Sequence, residues 1–306
     1  MKKLSFLIIA LVTVLFAGCA SHPQIDRNAE AFLYPAESYI PQNFDWQPVA
    51  PGISRFDFSN SAFPIIYHAV RIDLTTPGLQ LLTFPDKAFA MKKSGTKEGE
   101  KLPQPFAFKG IRTKAFAKKN NCLVAVNATP FTGKNGKWDL AAHISAGRQL
   151  VGIHIDQGFE ISVPEKKYAA LLFSKDQQGY LASIIDSQNQ AALQNCEYAF
   201  GGFYTVLSEG HLIDFAYRSH DSRTGCGISQ DGRILYIMVA EGEVQNKSEG
   251  LSFPQCAEIF KAMGCHSALE FDGGGSSQLC INGKSVLTYN KARVQGNSFG
   301  FVLNEK

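Results

Sequence analysis

The sequence predicts an α+β protein in which mostly antiparallel sheets pack on a few helices. Three observations carry this expectation. Apolar runs of strand length recur at residues 65–74, 79–84, 122–126, 223–229, 233–240, 265–271 and 298–303. Two dipeptides, Asp231-Gly232 and Asn282-Gly283, stand between such runs, and both suit the tight turn of an antiparallel hairpin. Helical periodicity is confined to two stretches, near 106–119 and 252–263.

Taken in order, residues 65–74 are rich in β-branched side chains, Thr75-Thr76-Pro77-Gly78 reads as a turn, and 79–84 resumes the strand pattern. Residues 86–104 are polar and rich in lysine and glycine, and read as a solvated loop. Phe108, Ile111, Ala115 and Phe116 share one helical face, Asn120-Asn121 ends that helix, and a short strand then delivers Asn127. The second helix has firmer punctuation. Ser252 and Gln255 stand at capping-box spacing, Pro254 lies in the first turn, and Gly264 is placed to end the helix. A strand then delivers Asp272. The two helix–strand units share one plan, which hints at an internal duplication. Between them the run 233–240 ends at Glu241-Gly242, so Asn127, Glu241 and Asp272 are three polar residues at strand ends.

The N-terminus has a different character. Lys2 and Lys3 precede an apolar run at 4–16, and Ala17-Gly18-Cys19 follows. A positive start, a short apolar stretch and a small-residue cut site describe a secretory signal over residues 1–18. The cysteine placed there resembles a bacterial lipobox, with Cys19 as the lipid site. Residues 19–48 hold several prolines and no sustained period, and read as a lipidated tether, so the folded domain is expected over 49–306. The expectation is an exported protein held to the envelope by lipid alone, at the outer membrane and facing the periplasm. Six cysteines remain besides Cys19: Cys122, Cys196, Cys226, Cys256, Cys265 and Cys280. In an oxidising compartment some are expected to pair, and six allow 15 pairings. The net charge is only +3 and dispersed, which gives no reason to expect nucleic acid as partner.

The strongest chemical signal is Phe271-Asp272-Gly273-Gly274-Gly275-Ser276-Ser277. Three successive glycines carry a large entropic penalty, and one return on it is close approach of backbone to a ligand. Successive N–H groups in such a turn form an anion-binding nest, and Ser276 and Ser277 add hydroxyls. The segment is not a Walker loop, because no Gly-Lys-Ser/Thr follows. The alternative is a plain turn in which Asp272 bonds its own backbone. A second signal is Arg223-Thr224 entering a central strand, which suits a bound oxyanion. No cofactor or metal motif stands out. Ser219-His220-Asp221 cannot form a triad, because sequence neighbours point different ways, and His143 and His154 read as isolated histidines.

Taken together, several segments resemble the phosphodiester glycosidase family. They are Val126-Asn127-Ala128-Thr129-Pro130-Phe131, Gly201-Gly202-Phe203, Arg223-Thr224 with Gly227, Glu241-Gly242, and the stretch from Leu269 through Ser277. Arg293 and Asn297 resemble the family's C-terminal arginine and asparagine. Two departures stand out: Glu241 where the family often has aspartate, and Ala128-Thr129-Pro130 where it often has glycines, which implies a different pocket wall. The resemblance implies hydrolysis of a sugar-1-phosphodiester at the C1–O bond. In that reading Asp272 is the first candidate carboxylate and Glu241 the second. Arg223, Thr224 and the turn with Gly273, Gly274, Ser276 and Ser277 hold the phosphate. Asn127, Arg293 and Asn297 contact substrate. The partner is a phosphodiester-linked glycan, and no cofactor is required. Two alternatives share the pocket: a glycan-binding lipoprotein without turnover, and a phosphodiesterase breaking the P–O bond. The sugar, the stereochemical course and the oligomeric state stay open.

Overall fold

A computed structural model describes residues 34–133, 147–215, 219–244, 247–288 and 293–304. The expected signal, Cys19, residues 20–33 of the expected tether, and His143 lie outside these residues. Every named strand pairs antiparallel. Four sheets result, of eight, five, five and three strands. The eight-stranded sheet runs Gln47–Ala50, Ile53–Asn60, Ile65–Asp73, Ile234–Glu241, Arg223–Ile228, Ser267–Glu270, Thr205–Ser208 and His211–Leu212. A five-stranded sheet centres on Val124–Asn127, flanked by Leu279–Ile281 and Ser298–Leu303. The other is built on His154–Asp156, Tyr198–Gly201 and Ala170–Asp176.

The main core lies where these three sheets face one another. Val70, Ile72 and Val239 come from the first, Val124, Val126, Phe299 and Phe301 from the second, and Phe173 and Phe200 from the third. Phe173 touches Phe200, Phe299 and Phe301 edge-on. Each such ring, fully buried, contributes roughly 1.5–3 kcal/mol. The opposite face of the eight-stranded sheet is covered by the helix Phe253–Ala262, through Ala257, Ile259 and Phe260. Its capping box is formed: Ser252 accepts from Gln255 N–H while the Gln255 side chain accepts from Ser252 N–H. Gly225 and Gly227 lie beneath it because the helix comes so close. A Cβ on Gly225 would sit 3.1 Å from Phe260, and one on Gly227 would sit 2.5 Å from Cys265 Sγ.

Both hairpin turns form where expected, with Asn282 and Gly283 at φ 50 and 70 and Gly232 at φ 68. Four expectations change. The folded unit starts at Tyr34 rather than Val49. Residues 34–48 lack periodicity, but their aromatic side chains find the domain: Tyr39 is buried and donates to Glu258, Tyr34 donates to Glu249 at 2.8 Å, and Phe44 and Trp46 pack on Phe56. The loop 86–104 contains a helix, Lys87–Ser94, capped by Asp86 and ended by Gly95 at φ 79. Only Ala90 in it is buried, so no apolar stripe advertises it.

The helix expected near 106–119 is a strand, Ala107–Lys109, followed by a shorter helix, Thr113–Lys119. Gly110 separates them: a Cβ there would lie 2.1 Å from the Gln295 carbonyl. Phe108 and Phe116 therefore belong to different clusters. Finally, all six remaining cysteines are free thiols; five are buried and Cys196 is half-buried. Burial pushes Cys122 and Cys280 up to about 12, which disfavours the reactive thiolate. Among the described residues, no helix is long and apolar enough to cross a membrane.

Candidate active site

The two helix–strand units meet at their strand ends. Asn127 Nδ2 donates to the Asp272 carbonyl at 2.7 Å, and Asp272 N–H donates to the Ala128 carbonyl at 2.9 Å. Asn127 Oδ1 accepts from Thr224 Oγ1 at 3.1 Å and from Gln278 N–H at 2.9 Å. Asn127 is 1% exposed. Its amide joins three segments, which is a structural duty and not the substrate contact expected for it. Thr224 is consumed in the same knot.

Arg223 and Thr224 cannot share one anion, because successive strand residues point to opposite faces. Thr224 faces the main core beside Asn127. Arg223 faces the helix, with its guanidinium 4.4 Å over Phe253. Its Nε donates to the Leu251 carbonyl at 2.8 Å and its Nη2 to the Ser219 carbonyl at 2.7 Å. The arginine that reaches Asp272 is Arg293. Its Nη2 lies 3.6 Å from Asp272 Oδ2 and its Nε donates to Ser276 Oγ at 2.6 Å. Phe131 supports it: the Arg293 and Arg148 guanidiniums lie 5.3 and 4.9 Å from that ring. Arg148 stands on the Val294 and Gly147 carbonyls and is 1% exposed.

The three glycines after Asp272 differ in what they are for. A Cβ on Gly273 would lie 2.8 Å from the Ser222 carbonyl, Gly274 has φ 55, and a Cβ on Gly275 would meet nothing within 4 Å among the described residues. The turn is also a poorer anion nest than its composition suggests. Gly274 N–H goes to the Ser222 carbonyl, Ser276 N–H to Gly273 and Ser277 N–H to Gly274. Charge-bearing contact with an anion therefore falls chiefly to Arg293 and the serine hydroxyls. Burial pushes Asp272 up to about 6, against the opposing pull of Arg293 and Ser276.

Glu241 stands in different company. Its Oε1 accepts from Thr288 N–H at 2.8 Å and faces His68 Nε2 at 2.9 Å, while Oε2 accepts from Thr288 Oγ1 at 2.5 Å. Burial would raise its pKa, but His68 and Thr288 outweigh burial and lower it. Both oxygens of this carboxylate, the second candidate from the sequence, are thus already bonded within the fold.

The residue that the sequence reading passed over is Glu270. It is 1% exposed, its oxygens have no partner beyond the weak thiol donor of Cys256, and burial pushes it up to about 7 despite the Arg223 charge and that thiol. The signal was present as a carboxylate two residues before Asp272, but inside an apolar strand it read as part of a motif. Buried polar atoms without partners are otherwise concentrated around Asp272: its own Oδ2, Thr129 Oγ1, Ser277 Oγ and Gln295 Oε1. A fold usually satisfies such atoms, so four left open on the segments around one carboxylate mark a place built for a ligand. Asn297 lies behind them, accepting from Thr129 N–H at 3.2 Å and donating to the Phe84 carbonyl at 3.1 Å. His154, its pKa lowered by burial, packs beside it. Among the described residues no three His, Cys, Asp or Glu side chains converge as a metal cage.

A model of the phosphodiester glycosidase family matches residues 120–302, more than half of the chain. The chain belongs to the phosphodiester glycosidase family. By family it is a glycosidase-type hydrolase. Its fold is similar to that of the catalytic domain of zebrafish N-acetylglucosamine-1-phosphodiester alpha-N-acetylglucosaminidase, auto-inhibited by its pro-peptide. That likeness has a TM-score of 0.56 and 16% identity over 84% of this chain and 85% of that one. A hypothetical protein of Synechocystis matches with a TM-score of 0.58 and 15% identity, over 86% of this chain and 64% of that one. A Burkholderia pseudomallei protein described as exported matches with 0.54 and 14%, over 78% and 74%. At these identities the likeness speaks to the fold alone. No curated protein matches the chain.

Proposed function

We propose that this phosphodiester glycosidase hydrolyses a sugar-1-phosphodiester at the C1–O bond, with Asp272 as the reacting carboxylate and Arg293 as the cation on the phosphate. One observation carries the reading: Asp272 Oδ2 is buried, without a hydrogen bond, and 3.6 Å from Arg293. A phosphate monoester leaves with its bond pair as a stabilised anion, so charge neutralisation matters more than proton donation. A fixed guanidinium in a site of low dielectric supplies that. A carboxylate within reach of the anomeric carbon serves as base for water or as nucleophile. The pKa of about 6 suits a base working near neutrality. Open space around Gly275 leaves room for the phosphate beside Ser276 and Ser277.

In this assignment Arg293 takes the place that the sequence suggested for Arg223. Asp272→Asn and Arg293→Ala, assayed in the full chain on sugar-1-phosphodiesters, are expected to lose turnover, and undiminished rates in both would sink the assignment. Hydrolysis in labelled water separates the bond broken: label in the sugar means C1–O cleavage, label in the phosphate means P–O cleavage. The N-terminal sequence also supports export and lipidation at Cys19, with phosphodiester-linked envelope glycans as the substrate pool. Mass spectrometry of the cell-purified protein is expected to find Cys19 as a lipid-modified first residue; an intact Met1 would overturn this.

A further inference from the structure

Asp57, His68 and Glu241 stand in series across three adjacent strands. His68 Nδ1 lies 2.6 Å from Asp57 Oδ1 and His68 Nε2 lies 2.9 Å from Glu241 Oε1. We propose that this series is a brace that holds Asp272 and Arg293 in register from the neighbouring strands of the sheet, and that His68 is a positioning residue for the reaction proposed above, on which the inference rests.

The strand end that carries Glu241 grips both walls of the site. On one side the Glu241 carboxylate binds the backbone N–H and the hydroxyl of Thr288. Thr288 stands five positions before Arg293 in the chain, and Arg293 N–H returns to the Gly275 carbonyl at 3.2 Å. Thr288 and Arg293 are thus each held, the first by Glu241 and the second by the glycine turn. On the other side, Gly242 N–H donates to Ser222 Oγ at 2.9 Å. The Ser222 carbonyl in turn accepts from Gly274 N–H at 2.8 Å, two residues past Asp272. Gly242 must be glycine for this grip, since a Cβ would lie 2.3 Å from Ser222 N.

The grip needs His68. Glu241 is 0% exposed, and a buried carboxylate held by neutral donors alone loses much of its hydration. Protonated His68 supplies the missing charge, and Asp57 fixes the ring by its other nitrogen. The charged groups that face His68 are Asp57, itself paired with Arg55 at 2.6 Å, and Glu241. Burial acts to lower the His68 pKa, but the two carboxylates outweigh it and raise it. The three meet in series rather than around a point, so they do not form a cation cage. Asp57 and His68 precede the family-matched span of 120–302.

The test uses the full chain and two kinds of readout. Amide exchange is measured at Thr288 and Gly274 in His68→Gln, Thr288→Val and Thr288→Ser, with kcat and KM for a sugar-1-phosphodiester. His68→Gln is expected to speed exchange at both amides at least tenfold and to lower kcat about tenfold with KM little changed. The alkaline limb of its pH profile should also move. Thr288 is exposed, so Thr288→Val keeps the fold accessible if His68→Gln does not fold. It is expected to lower kcat similarly, while Thr288→Ser, which keeps the hydroxyl, restores it. Unchanged exchange at both amides in His68→Gln or Thr288→Val overturns the brace, whatever the activity. If Asp272→Asn remains active, the functional reading fails instead, and the exchange data still decide the brace.

Discussion

Glu241 and Asp272 invite comparison because they look alike in the chain. Glu241 closes one strand of the eight-stranded sheet and Asp272 follows another, each is buried, and each precedes a glycine. Their surroundings are opposite. Glu241 has a histidine, a hydroxyl and a backbone N–H on its carboxylate, and its pKa falls. Asp272 keeps an oxygen without a hydrogen bond beside an arginine that stays 3.6 Å away, and its pKa rises to about 6. Burial alone therefore does not mark a reacting carboxylate. What distinguishes Asp272 is a buried oxygen without a hydrogen bond beside a cation, an arrangement that the proposed phosphodiester would complete.

The sharpest way to break this comparison is to remove each charge. Asp272→Asn is expected to cut turnover about 100- to 10,000-fold while raising stability at pH 7 by roughly 1–3 kcal/mol, since a raised pKa near 6 measures a carboxylate the fold disfavours. Glu241→Gln is expected to go the other way in stability, losing about 3–5 kcal/mol as a bonded buried pair is broken. Denaturant unfolding at pH 7 checks both signs, and two losses of equal size would erase the distinction.

Next in size is Glu270, whose pKa of about 7 puts most of its ionisation penalty in place at neutral pH. Glu270→Gln is expected to raise stability at pH 7–8 by roughly 3 kcal/mol, and to do nothing below about pH 4, where the carboxyl is protonated in both states. If the gain persists at low pH, the cause is packing rather than charge.

The pH dependence of the wild type sharpens the contrast further. Asp272 and Glu270 bind protons more tightly folded than unfolded, so their penalty is absent below about pH 4 and grows as pH rises through about 6 and about 7. Asp57 and Glu241 have lowered values, so their contribution is present above about pH 4 and fades as pH falls through their folded values. His68 has a raised value, so its contribution is full below about 6.5 and is lost as pH rises through its folded value. The brace is thus strongest in mildly acidic solution. In His68→Gln, which cannot titrate, stability is expected to decline less on the alkaline side, and an unchanged profile would argue that His68 is neutral in the fold.

The smallest effect concerns the glycine turn. Gly275→Ala should change stability by less than about 1 kcal/mol, because nothing lies within 4 Å of the new methyl group. It should nevertheless raise KM for a phosphodiester substrate if the phosphate occupies that space. Gly273→Ala, facing the Ser222 carbonyl at 2.8 Å, should instead destabilise the fold. Equal effects from the two would mean that the third glycine serves the fold as well.

Much of this architecture was readable without coordinates, and the reasons are local. Asp231-Gly232 and Asn282-Gly283 make hairpins because tight turns need residues that tolerate positive φ. Ser252 and Gln255 start a helix because each satisfies the other's free N–H. Where such signals were diluted, the reading erred. The helix Lys87–Ser94 has lysines around a single buried residue, and Asp86 was its only local sign. Phe108 and Phe116 matched a helical period across a chain break at Gly110, which an approaching carbonyl from Gln295 imposes. The separation of Arg223 from Thr224 followed from strand alternation alone, yet adjacency in the chain suggested a shared role.

By itself the sequence determined the strand and turn pattern, the capped helix that begins at Ser252, and the carboxylate of the glycine turn. Each depends on backbone sterics and hydrogen bonds within a few residues. It did not determine which arginine meets Asp272, that Asn127 and Thr224 are used to tie strand ends together, or that both oxygens of Glu241 are bonded within the fold. Those outcomes depend on the packing of sheets that bring residues 68, 127, 241, 272 and 293 to the same region of the fold. They depend equally on how much water that packing removes, and this is why the same side-chain chemistry is fully hydrogen-bonded at one strand end and left with an open oxygen at the other.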